Sequence, residues 1–334
     1  MGEFEMMKKT TSALAVAALL GTGAASAATF QVGDNTSFGV SANIQLDYVV
    51  DNDTDGNSVT TVQDNSSDVR FEGESVSDSG LTTMLYLEID GLGVTDQENT
   101  NIYTTDQAFI GVGGDFGTVR VGSDLGTYGA VDGLKDLDNT RGVVGLDNDG
   151  DQNIRYDLPQ IGDLSVSVAE SYYDDQSGGN KSGTSLNGSL TYDIGGIELS
   201  AAYDNQGGEA DYADGAFYGF GARTTIAGVD TRVTYETETD DSADAGEYDL
   251  ISLTGIYAIG GGSLYGTIQN VSGDDVGAVN NATGRTVGED SATEYVVGYN
   301  YGLTDNAYVI LETGSFDAED DEDDFVSVSF GAGF

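Results

Sequence analysis

Few residues in this chain are spaced to do chemistry, and those few are carboxylates. Asp51-Asn52-Asp53-Thr54-Asp55-Gly56 presents alternating oxygen donors like the opening of a calcium-binding loop. Its twelfth position is Val62, where an EF-hand needs a bidentate Glu, and no helical pattern flanks it. Asp51, Asp53 and Asp55 are therefore expected to gather cations loosely rather than to form a built metal site. Asp147-Asn148-Asp149-Gly150-Asp151 is a looser version of the same string. Gly111-Val112-Gly113 and Gly219-Phe220-Gly221 have the spacing of nucleotide loops, but no helix follows to present its amides to a phosphate. The absence of His and Cys removes thiol nucleophiles, disulfides, zinc fingers and every Ser-His arrangement. An enzyme is not expected, nor any cofactor beyond loosely bound cations.

The surrounding charge is extreme: 58 acidic against 11 basic residues in 334, a formal net charge of −47. Such a chain repels phosphate backbones, so no nucleic-acid partner is expected. It also repels itself, most of all in the six consecutive acids Glu319 to Asp324. At roughly molar salt the Debye length falls to about 3 Å, which screens that repulsion, so the composition points to a halophilic or marine source. Only 38% of residues are hydrophobic, yet 19 Tyr and 12 Phe argue against plain disorder.

Two kinds of element must carry these residues. Residues 7–27, MKKTTSALAVAALLGTGAASA, read as a secretion signal: a Lys8-Lys9 n-region, a short apolar stretch from Leu14 to Leu20, and the cleavage site Ala25-Ser26-Ala27. Residues 1–27 are thus extra N-terminal sequence plus leader, and 28–334 one domain. No later stretch is long and apolar enough for a membrane-spanning helix, so this domain either floats free or enters a membrane as strands.

Strands are what the rest spells. Phe38, Val40, Ala42, Ile44, Leu46, Tyr48 and Val50 share one parity, and Ser41, Asn43, Gln45 and Asp47 the other. The same alternation returns at 81–89, 197–204, 229–236 and 326–334. Short turns at 78–80, 113–115, 160–162, 195–196, 227–228, 260–262 and 303–305 alternate with long acidic loops at 51–65, 91–102, 124–151, 174–183, 205–214, 238–246, 272–290 and 315–324. That count joins sixteen strands, and the even number with strict short/long alternation is the pattern of a closed antiparallel transmembrane β-barrel. A soluble sandwich would have shorter strands without the loop asymmetry, and a solenoid a fixed short repeat. A secreted, calcium-dependent β-rich adhesin remains the alternative from another class.

Several strings resemble those of Gram-negative general porins, the trimeric sixteen-stranded diffusion channels. Asp68-Val69-Arg70-Phe71-Glu72-Gly73 is similar to the family's second-strand motif, 108–122 to its "A-F-V-G-L … F-G-T-V-x-L-G-R" hairpin, and Asn153 to Pro159 to its "N-S-I-R-Y-D-S-P" string. Tyr299 to Asp305 resembles the penultimate periplasmic turn, and Phe334 the C-terminal aromatic. The resemblance implies an outer-membrane homotrimer surrounded by lipid, with the third loop, 124–151, folded into the pore. Asp124, Asp132, Lys135, Asp136, Asp138 and Arg141 would then stand at the constriction, facing a basic ladder on the wall.

That ladder is thinned here. Asp68 and Glu72 stand where the family motif is basic, and Ser123 where it has Arg, which puts a strong transverse field in doubt. Arg70, Arg120, Arg155, Arg223 and Arg232 all fall on polar strand parities, so they are expected on the pore wall, touching solutes or pairing with carboxylates such as Asp68, Asp157 or Asp230. The function expected is passive diffusion of small hydrophilic solutes and ions, with a preference for cations. A solute-specific channel on the same fold is the alternative, for which Tyr86, Phe109, Tyr265 and Tyr308 could form an aromatic track.

Overall fold

The structure, a computed structural model, describes residues 28–52, 58–65, 67–90, 104–135, 137, 152–174, 182–205, 215–240, 248–273, 291–318 and 321–334. The leader expected at 1–27 lies outside them. Its strands are β1 (Ala28–Gln31), β2 (Thr36–Asn52), β3 (Ser58–Asp64), β4 (Asp68–Val76), β5 (Thr82–Asp90), β6 (Thr104–Gly114), β7 (Gly117–Ser123), β8 (Gln152–Asp157) and β9 (Leu164–Asp174). They continue as β10 (Ser182–Asp193), β11 (Ile197–Asn205), β12 (Gly215–Ile226), β13 (Val229–Asp240), β14 (Tyr248–Ile259), β15 (Gly262–Gly273), β16 (Ser291–Thr304), β17 (Ala307–Ala318) and β18 (Asp321–Gly333). One turn of helix, α1 (Gly129–Asp132), follows β7.

From β4 to β18 each strand pairs antiparallel with the next, and β18 returns to β2, from Asp324↔Asn52 to Gly333↔Asn43. The ring is thereby closed, as lipid requires of a spanning sheet. Two staves are composite. β3 pairs with the loop end of β2 and β4 with its other end, with a break at 65–67 where the Gln45 N–H donates to Ser67 Oγ at 3.0 Å. β18 and β1 lie end to end along β2: Phe334 and Ala42 exchange backbone bonds of 2.8 and 2.9 Å, and β1 carries on from Ala28↔Val40 to Gln31↔Ser37. Counted by stave, the barrel has 16 strands.

All seven expected short turns are present between strands. Three are tight enough to demand positive φ at both central residues: Gly195 (65°) with Gly196 (89°), Ala227 (52°) with Gly228 (86°), and Gly260 (61°) with Gly261 (84°). The long connections differ from expectation in extent. β3 occupies most of 51–65. The connection placed at 315–324 is almost all strand, since β17 runs to Ala318 and β18 starts at Asp321; four acids of the Glu319–Asp324 run are therefore in ladder register with β17. Asp240 likewise closes β13. The physical reason is that strands projecting beyond the membrane keep their hydrogen bonds without needing apolar outer residues, so alternation fades before the strand does.

The faces are the reverse of a soluble protein's. Leu253, Ile268, Val297, Leu311 and Phe330 are exposed on the outside, while Gln45, Asp47, Asn187, Glu236, Gln269 and Glu294 are buried on the inside. An apolar surface running round the whole barrel far exceeds what a protein shows to water, and lipid is its natural solvent. Tyrosines flank this belt: Tyr156, Tyr192, Tyr257, Tyr299 and Tyr301 near the short turns, and Tyr48, Tyr203, Tyr218 and Tyr235 toward the long loops. Amphipathic rings at both margins match the two membrane–water interfaces.

Inner aromatic side chains lie over glycines of the next stave. Tyr265 covers Gly298, Tyr308 covers Gly331 and Phe325 covers Gly314, each pair directly opposite in register. A Cβ at Gly298 would enter the Tyr265 ring. Gly298→Val is therefore expected to cost about 1–3 kcal/mol through overpacking, measurable as a lower temperature at which the folded, fast-migrating gel band is lost.

Candidate pore and its inner strap

The chain leaves β7 at Asp124, whose φ of 54° turns the backbone into the barrel. Gln107 Nε2 on β6 donates to the Asp124 carbonyl at 2.5 Å and holds that turn. From there residues 125–135, with Leu137, run as a strap along the inner wall. The Leu125 N–H donates to Asn153 Oδ1 at 3.0 Å, Arg155 Nη1 donates to the Gly126 carbonyl at 2.9 Å, and Thr127 donates from both N–H and Oγ1 to Asn187 Oδ1 at 3.1 and 3.0 Å. Asn153 and Asn187 are oriented in turn by one hydroxyl, each donating to Ser171 Oγ at 2.6 and 3.1 Å.

From Tyr128 to Leu134 the strap is held mainly by packing. Tyr128 meets the edge of Phe217 with ring centroids 6.0 Å apart. Any Cβ at Gly219 would stand 2.8 Å from Tyr128 Oη, and one at Gly221 would strike Leu134. The Gly219-Phe220-Gly221 string is thus the groove in β12 that lets the strap approach, with Phe220 pointing out to the apolar belt. Leu137 closes on Tyr265, Tyr308 and Ile310. Those two tyrosines are buried, Tyr265 Oη donating to Glu312 Oε2 at 2.5 Å and Tyr308 Oη to Gln45 Oε1 at 2.8 Å. They support the strap and do not line an open aromatic track.

The expected constriction residues therefore separate. Asp124 serves the turn through its backbone. Asp132 ends α1 and lies 3.0 Å from Lys135 Nζ. Lys135 is buried, its side chain 1% exposed, and its ammonium also bonds Glu236 of β13. Burial by itself would lower this ammonium's pKa, but Asp132 and Glu236 outweigh it and hold the group above the ordinary lysine value. Asp136, Asp138 and Arg141 lie outside the described residues, as do Asp53 and Asp55; Asp51 sits in β2 opposite Val59 and Phe325.

All five wall arginines face inward, and each is held by a carboxylate. Arg70 pairs with Glu88 at 2.7 Å and Asp68 at 3.2 Å, and Tyr86 Oη donates to the same Glu88. Arg120 and Arg155, opposite each other in register, both lie 2.8 Å from Asp157. Arg223 and Arg232, also register partners, both reach Asp230 at 2.9 Å. The named partners Asp68, Asp157 and Asp230 are thus the ones used. In formal charge, the Asp68–Glu88–Arg70 and Asp132–Glu236–Lys135 groups are each negative by one, and the two arginine pairs each positive by one. The four groups cancel.

Away from the strap, Tyr86 stacks on Phe109 with centroids 5.4 Å apart, and the Arg120 guanidinium caps Phe109 at 5.5 Å. Glu72 and Glu74 are exposed on the same inner face of β4.

A closed ring with apolar outside, polar inside and an inward strap defines a membrane-spanning β-barrel channel. The chain belongs to the Gram-negative porins, whose family model matches residues 11–321. It is 27% identical over 364 residues to a "Monosaccharide porin" of a Halomonas species and, equally, to the "Major outer membrane protein" of Halomonas elongata, covering 96% of this chain and 98% of each relative. Among solved structures it is similar to the anion-selective porin from Comamonas acidovorans, with TM-score 0.73 and 16% identity over 90% of this chain and all of that one. The protein is an outer-membrane channel for passive solute diffusion. Its family relatives are channels rather than enzymes, and Halomonas relatives fit the halophilic reading of the composition.

Proposed function

We propose that this channel prefers cations and that its passage runs between the strap and the wall formed by β4 to β7. One observation carries the preference: the six described cations, all inward or in the strap, sit in groups whose formal charges cancel. Glu72, Glu74, Asp204, Glu238, Glu294 and Glu312 also lie on the inner face. They outnumber Arg141, Lys181 and Arg285, the cations that remain after the leader. A net acidic lumen raises the local cation concentration and repels anions. The Comamonas porin is named for anion selectivity, but what it shares with this chain is the fold; selectivity follows from charges the fold does not dictate.

Because every wall arginine is paired on its own side of the barrel, the transverse field is weak. Solutes then meet a hydrogen-bonding wall of alternating charges with an acidic excess. In a tenfold KCl gradient across a planar bilayer, the reversal potential is expected to take the sign of potassium permeation; the opposite sign would overturn the reading. The apolar belt supports outer-membrane lipid as the surroundings, and the family resemblance supports a homotrimer.

A solute-specific channel is the second reading. It is favoured by the half-buried Tyr86–Phe109 stack under Arg120 and by a relative named for monosaccharides. Millimolar glucose that blocks ion current in single channels would support it, and unaltered current would leave general diffusion.

A further inference from the structure

We propose that Lys135 is the positioning residue of the constriction: its ammonium, buried between Asp132 and Glu236, fastens the strap to β13 and so sets the width of the passage. This rests on the reading that the strap narrows the pore.

The Lys135 side chain is 1% exposed, Glu236 0% and Asp132 14%. A lysine so placed touches no passing solute, so it contributes nothing to selectivity by direct contact. A buried charge is tolerated only when paired, and here one ammonium bridges a carboxylate of the strap and one of the wall. Taking it away leaves Asp132 and Glu236 facing each other in a dry space, where like charges repel strongly. The attraction would become a repulsion at the same spot.

The same residue is gripped a second time through its backbone. Thr267 Oγ1 of β15 donates to the Lys135 carbonyl at 3.1 Å and shares a 2.8 Å hydroxyl bond with Thr254 of β14. Lys135 therefore ties the strap to β13 by its side chain and to β15 by its main chain. The neighbouring contacts among the described residues, Leu134 over Gly221 and Leu137 on Tyr265, Tyr308 and Ile310, are apolar. At the other end of the strap, four hydrogen bonds from 125–127 anchor it independently of Lys135. Loss of the Lys135 ammonium should thus loosen the far half of the strap, leaving it the Thr267 bond and its apolar contacts, while the near half stays docked. The barrel keeps its ladders, since no inter-strand backbone bond involves this residue.

The test compares K135M, K135R and E236Q with the parent protein. Single-channel conductance is read in planar bilayers, the size limit for neutral sugars by liposome swelling, and the fold by heat-modifiable gel mobility. K135M is expected to raise conductance by a factor of about two, with larger sugars admitted and unaltered gel behaviour. K135R, which keeps the charge, is expected to stay near the parent, and E236Q to fall between. A folded K135M with parental conductance and size limit overturns the proposal. So does K135R widening the pore as much as K135M, because shape rather than charge would then hold the strap. If K135M does not fold, a folded E236Q with parental conductance overturns it equally. A parent protein that conducts nothing would sink the channel reading itself and not merely the fastening.

Discussion

Ile268→Arg is expected to destabilise the barrel by about 2–4 kcal/mol, the cost of an arginine on the lipid face at the bilayer midplane. Ile268 lies midway along β15, is 51% exposed, and is flanked on the same outer face by Leu253 and Tyr295 of the neighbouring staves. Its neighbours along β15, Thr267 and Gln269, point inward and are buried, so the pleat gives the new guanidinium no route to the aqueous lumen. Asn270→Arg is the control. It shares the outer face but lies nearer the long-loop margin, where the cost falls to about 0–1 kcal/mol. Urea refolding into lipid vesicles, followed by gel mobility, gives both values. Equal, small effects would mean that this surface does not face hydrocarbon, and the barrel would have to be placed differently.

Reversing two charges on the wall of β4 should change selectivity more than any other surface substitution considered. Glu72 and Glu74 are exposed on the inner face, beyond Arg70 on the same strand. In E72K/E74K, two negative charges become two positive ones, and the site moves toward the basic wall of the family motif. The permeability ratio of potassium over chloride is expected to fall by a factor of about three or more in 0.1 M KCl, where the Debye length is about 10 Å. In 1 M KCl the screening length is about 3 Å, so most of the difference should vanish. A ratio unaltered at low salt would place the controlling carboxylates elsewhere and weaken the assignment of the passage to this wall. Conductance for neutral sugars should hardly move, since these residues do not touch the strap.

Much of the site was legible because strand geometry is simple. Same-face residues are two apart, so Arg70 with Asp68, Arg155 with Asp157 and Arg232 with Asp230 could be read as pairs along one strand. Arg223 with Asp230 could be read across a short turn. Lys135 with Glu236 could not: the partners are 101 positions apart, and nothing local joins them. The roles of Asn153, Asn187 and Ser171 were hidden for the same reason, being polar residues on a polar parity like many others. The glycines of β12 carried a visible signal, a pair at inward positions flanking Phe220, but only the strap shows what that bare strip receives.

By itself, the sequence determined the barrel, its stave count, its turns and which face meets lipid. Period-two alternation and glycine-bearing turns are local, and lipid enforces them along every stave. It also determined that acids exceed bases wherever water reaches. Only the tertiary structure decided where the few cations spend their charge. Ion pairs form between side chains that ring closure brings together, and no local pattern encodes that distance. Hence the arginines expected on the pore wall sit there in ion pairs with carboxylates, and the lysine expected at the constriction is buried behind it.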